Sequence, residues 1–99
     1  MKIPGRKSYP KELHINEETY TIKWVQEIPE GRKNDDTVGL CDGASHTIYI
    51  KRGLTKSQAF RTLIHEVLHA LEFEYEIDIP HKTVHQLEKA IGDLLIANF

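Results

Sequence analysis

The run His65-Glu66-Val67-Leu68-His69 sets two imidazoles four residues apart with a carboxylate directly after the first. On a helix, residues i and i+4 project from one face about 6 Å apart along the axis. Their imidazoles can then converge on one zinc ion at about 2.0–2.1 Å. Glu66 falls beside them, placed to take a proton from a metal-activated water but angled away from ligation. The chemistry such a set performs is metal-assisted hydrolysis. Two histidines leave a zinc site incomplete, so a third ligand must come from elsewhere, with the fourth position left to water.

Of the six histidines in the chain, four (His65, His69, His81, His85) fall between residues 65 and 85. The candidates for the third ligand are His81, His85 and Glu88, with Glu72, Glu74, Glu76 and Asp78 nearer in sequence. Glu72 shares the His69 face and would crowd the site from the same helix. At about 100° per residue, Glu88 and His81 border the apolar stripe of the second helix, and His85 points further out. An antiparallel pair of helices brings Glu88 level with His69. A steep crossing brings His81 there instead. Geometry read from sequence leaves both open.

These residues need a rigid helix pair, and the pattern supplies one. Thr55 is a good N-cap, and Phe60, Leu63, Ile64, Val67, Leu68 and Leu71 recur at helical spacing from Lys56 to about Tyr75. Pro80 restarts the chain into a second helix, carrying Val84, Leu87, Ile91, Leu94 and Leu95 to about Asn98. Upstream, Tyr20–Ile28 alternates as a half-buried strand, with Tyr20, Ile22 and Trp24 on one face. A second strand spans Thr37–Cys41 and a third His46–Lys51, joined as a hairpin by the turn residues Asp42–Ser45. Arg32–Asp36 reads as a charged loop, and residues 1–17 as an extended arm. The expected fold is α+β: a small antiparallel sheet of about three strands packed on the His65–His69 helix and a C-terminal helix, within one domain over 1–99.

Composition bounds the rest. The chain has 99 residues and a formal net charge of −2, which argues against a nucleic-acid partner held by a basic field. A single cysteine rules out an internal disulfide and fits a reducing compartment. No stretch approaches the roughly 20 apolar residues of a membrane span, and the opening MKIPGRKSYPKELH lacks the apolar core of a signal peptide. A cytoplasmic protein with no membrane partner is expected. Cys41 reads as a small buried strand residue, His46 as an exposed turn histidine, and Tyr49 and Tyr75 as packing residues, with donation to a tetrahedral intermediate as their alternative role. Trp24, Phe60 and Phe73 read as core.

The segment 54–98, containing RTLIHEVLHALEFEYEIDIPHKTVHQLEKAIGDLLIAN, resembles the small phage- and prophage-encoded zinc metallopeptidases related to the ImmA/IrrE and SprT-like zincins. The preceding GLCDGASHTIYIKRGL is similar to their hairpin before the active-site helix. The resemblance covers about residues 37–98. It implies a minimal zincin-like fold, a zinc cofactor, and a third ligand at the start of the second helix with an apolar residue three positions later. His81 with Val84 fits that pattern, although many relatives have Glu there. The implied ligand set is His65, His69 and His81, with Glu66 as general base acting on a peptide or protein substrate. So small a surface leaves a partner protein to complete the cleft as a further expectation. The competing expectation is a zinc-stapled binding or regulatory module of phage origin that turns nothing over, since a thin core gains from a metal.

Overall fold

The computed structural model describes residues 3–29 and 38–98. The described residues form an α+β domain with four strands and two α-helices: β1 (Glu12–Ile15), β2 (Glu18–Val25), β3 (Gly39–Asp42), β4 (Thr47–Lys51), α1 (Lys56–Tyr75) and α2 (His81–Asn98). The sheet order is β1-β2-β4-β3. The expected charged loop at Arg32–Asp36, and the start of the second predicted strand at Thr37, lie outside the described residues.

The sheet corrects the sequence reading twice. It has four strands rather than three, and it is mixed rather than antiparallel. β1 pairs antiparallel with β2, and β3 with β4, but β2 and β4 run parallel with Ile22 opposite Ile48. The physical reason is burial. Tyr20, Ile48 and Ile50 are fully buried and Ile22 nearly so, and strands buried this way belong inside a sheet. Inserting β4 beside β2 leaves β3 on the outside edge. Residues 1–17 are likewise more than an arm, because they include a 3-10 turn at Arg6–Ser8 and then β1. Asn16 turns the chain into β2 with a φ of 57°.

α1 is the middle layer. Leu63, Val67, Ala70 and Leu71 meet the sheet cluster built on Ile15, Tyr20, Ile22, Ile48 and Ile50. Phe60, Ile64 and Leu68 meet Val84, Leu87, Ile91 and Leu95 of α2. A helix apolar on two faces has only a narrow stripe left for chemistry. Its start is fixed by a complete capping box: Gln58 N–H donates to Thr55 Oγ1 at 3.1 Å, and Thr55 N–H donates to Gln58 Oε1 at 3.0 Å. α2 begins one residue after Pro80, whose carbonyl accepts from Val84 N–H at 3.0 Å. Trp24 is partly buried against the sheet cluster, edge-on to Tyr9 at 5.1 Å. Phe60 is core, but Phe73 is 61% exposed and covers Gly43 of the β3–β4 turn. Among the described residues no helix is long and apolar enough to cross a membrane.

Candidate metal centre

The remaining stripe of α1 opens into a cleft of about 720 Å³ between β3, α1 and the first turns of α2. It is lined by His65, Glu66, His69, His81, His85 and Glu88, with Glu72 and the β3 edge completing the wall. The size is that of an ordinary small-ligand site.

His65 and His69 are brought together by their Nε2 atoms, 3.2 Å apart. Two nitrogens on one tetrahedral zinc at about 2.0–2.1 Å stand about 3.3 Å apart. The opposite nitrogens are each held by a carboxylate. His65 Nδ1 lies 2.8 Å from Glu88 Oε1, and His69 Nδ1 lies 2.8 Å from Glu72 Oε1. A carboxylate behind the imidazole fixes its tautomer and its direction, leaving Nε2 as the acceptor for a metal. The donor set therefore fits a zinc ion. Sequence reasoning missed this backing role for Glu72 and Glu88. Its only trace was the i, i+3 spacing of His69 with Glu72, a separation at which side chains on one helix face meet.

The third-ligand candidates separate in space. Glu88 sits at the back of His65 and also 3.4 Å from His85 Nδ1. His65, His85 and Glu88 offer donor atoms that all lie within 4.8 Å of one another. The His81 ring centroid is 6.3 Å from that of His65, whereas the His85 ring is 5.3 Å away. His81 lines the same cleft and makes its closest contact with His85, at 3.1 Å between Nε2 atoms. Glu74 lies elsewhere, in a group with Glu18 and His46.

Glu66 is buried, at 6% exposure, on the β3 side of α1. Gly39 makes this possible. A Cβ built there would stand 2.5 Å from Thr62 Cγ2 and 2.9 Å from Glu66 Oε2. The Thr62 side chain cannot yield easily, because its hydroxyl donates to Gln58 O at 2.7 Å. Gly39→Ala is thus expected to push the Glu66 carboxylate out of place and to cost about 1–3 kcal/mol as an overpacked contact. Chemical denaturation measures the second effect, and an unchanged midpoint would refute the close approach.

Glu72 also ties down the link between the helices, since Ile79 N–H donates to its Oε2 at 3.0 Å. That bond, with a smaller contribution from His69, holds the Glu72 carboxyl below its usual range despite partial burial. A carboxyl depressed in the folded state stabilises the fold above its unfolded value of about 4.3, and the gain disappears as pH falls through the lower folded value. Glu72→Gln should lower the melting temperature of metal-free protein at pH 7 and reduce its slope with pH below about 4. Melting curves from pH 3 to 7 would reveal an unchanged slope if the bond does not matter.

The other singled-out residues are placed as follows. Cys41 lines the cleft half-buried, and burial, then the nearby Glu66, push its thiol up to about 12, so it stays protonated at neutral pH. His46 has a φ of 50° and sits between Glu18 and Glu74, 3.4 and 3.5 Å from them, over the Tyr20 ring. Tyr49 and Tyr75 do not line the cleft. No protein-family model matches the chain, and neither a curated protein nor a solved structure matches it.

Proposed function

We propose that the chain is a zinc-dependent metallopeptidase of minimal zincin-like architecture, with His65 and His69 as ligands, His81 as the third, and Glu66 as general base. The observation that carries this reading is the pair of Nε2 atoms 3.2 Å apart, each imidazole backed by a carboxylate, beside a buried glutamate on the same helix. The resemblance of residues 37–98 to the small phage-type zincins supports it. Bound zinc would supply Lewis acidity, lowering the pKa of water and polarising a scissile carbonyl.

The chain's own residues carry the remaining roles. Glu66 accepts the proton of the attacking water and returns it to the leaving amine, a relay that suits a carboxylate lining the cleft. Glu72 and Glu88 keep the two imidazoles aimed. His81 lines the same cleft, its ring centroid 6.3 Å from that of His65. β3 is an edge strand on the cleft wall, so an extended peptide has a strand to pair with.

The test is a mixed peptide library read by mass spectrometry with zinc-loaded protein. Cleavage that disappears on chelation and returns with zinc supports the reading. Absence of cleavage across a broad library would shift the assignment to a zinc-stapled binding module, whose metal would need no base at position 66.

A further inference from the structure

We propose that the cleft continues along β3 into a side-chain subsite that selects peptides carrying lysine or arginine. The inference rests on the peptidase reading for its occupant, an extended peptide paired with β3. A second recess, of about 360 Å³, adjoins the cleft, and the two share Leu40, Cys41 and Phe73 as a common wall. Asp42 and Tyr49 also line this recess.

The strand register explains how one peptide reaches both. Gly39 and Cys41 face α1, Gly39 against Thr62 and Glu66, and Cys41 opposite the buried Ile48. Leu40, opposite Tyr49, and Asp42 fall on the other face of the strand. An extended peptide on the same edge alternates likewise, so it sends one side chain toward the metal centre and the next over the recess. Gly39, beside Glu66, and Asp42 are three residues apart in sequence, which is about 10 Å of strand. The selected side chain therefore belongs about two to four residues from the scissile bond.

The lining sets the charge of that side chain. Phe73 is 61% exposed, and its ring packs on Gly43, where an added Cβ would stand 2.5 Å from it. The rest of the ring, with the half-buried Tyr49, gives the recess aromatic surface. Asp42 Oδ1 accepts from Ala44 N–H at 3.0 Å and from Ser45 N–H at 3.3 Å. Bonds from Ser45, then Ala44, hold the Asp42 carboxyl below its usual range. Neither donor is charged, so the carboxylate keeps its negative charge at neutral pH. Among the described residues, no lysine or arginine lines the recess or the cleft. A carboxylate beside aromatic surface suits a cation on a long apolar stem, which meets the charge with its head and the rings with its length.

The experiment reads binding by fluorescence anisotropy, in the presence of zinc, on protein carrying Glu66→Gln so that no peptide is consumed. Dye-labelled octapeptides of alanine and threonine carry one Lys, Met or Glu, stepped through the positions. At the best position Lys should bind about 3- to 30-fold tighter than Met, the size of an exposed ion pair plus one cation–π contact, and Glu more weakly than Met. Added salt should shrink the ratio. Asp42→Asn keeps an acceptor for Ala44 and Ser45 but removes the charge, and it should cut the Lys-to-Met ratio by about 2- to 5-fold. Asp93→Asn, the same loss of charge on the exposed side of α2, should leave the ratio unchanged. Equal affinities for the three peptides, no binding of any, or a ratio that Asp42→Asn leaves intact overturns the subsite. The wild type with a mixed peptide library separates the two readings. Cleavage without enrichment of Lys or Arg at a fixed distance from the cut bond overturns the subsite alone. Lys selectivity that Asp42→Asn reduces, with no cleavage by the wild type, overturns the peptidase reading and leaves the subsite standing.

Discussion

Replacing Glu66 with glutamine is expected to leave zinc bound and to cut peptide hydrolysis by at least about 10²–10⁴-fold, the usual contribution of general acid–base catalysis. The amide has nearly the volume of the carboxylate, so the tight packing of residue 66 against Gly39 and Thr62 survives the change. What it loses is basicity. An amide cannot take the water's proton at neutral pH, and no other carboxylate in the cleft is placed to replace it. Glu72 and Glu88 are engaged at the backs of His69 and His65. The measurement pairs zinc content with the cleavage pattern on the same protein samples. Full zinc with cleavage unchanged would point to a different base or to a contaminating protease. Zinc lost together with activity would show that residue 66 acts by shaping the site.

The helices were legible in the sequence because their signals are local. Thr55, the 3.6-residue spacing of Phe60 to Leu71, and Pro80 mark boundaries that the structure reproduces at Lys56, Tyr75 and His81. The sheet was less so. The hairpin of β3 and β4 is a turn property, read from Asp42 to Ser45. The parallel pairing of β2 with β4 depends on which strand buries both faces, and no run of residues states that. β1 is only four residues long, ELHI, set in a polar stretch, and its pairing partner supplies most of its definition. Phe73 was misread for a related reason. Its helical phase is apolar, but it falls on the stripe that opens to the cleft and the β3–β4 turn.

At the site, the sequence named the residues and misjudged how they would meet. Helical phase put Glu88 and His81 at the edge of the α2 stripe and His85 further out. In the structure all three line the cleft. Glu88 meets α1 at His65, where antiparallel packing was expected to bring it level with His69, and it meets the Nδ1 side of that ring and not the Nε2 side. One-dimensional spacing predicts which side chains are neighbours. Which nitrogen of an imidazole faces which neighbour is set by rotamers, and those follow from packing.

Zinc should also hold the fold together. A ligand that binds only the native state adds RT ln(1+[L]/Kd), about 2.7 kcal/mol at a hundredfold excess over Kd. For a domain of this size that is a rise of roughly 10–20 °C in melting temperature. The pH dependence follows from the donors. An imidazole must be neutral to ligate, so the gain is complete above the ordinary imidazole value of about 6.5 and fades as pH falls below it. Chelation at pH 7.5 should therefore lower the melting temperature by that margin, and at pH 5 by much less. His65→Ala should melt like the chelated wild type at pH 7.5 and respond little to added zinc. A melting temperature indifferent to chelator at pH 7.5 would mean that the converging nitrogens of α1 hold no ion in the native state, and the roles assigned to zinc and Glu66 would fall with it.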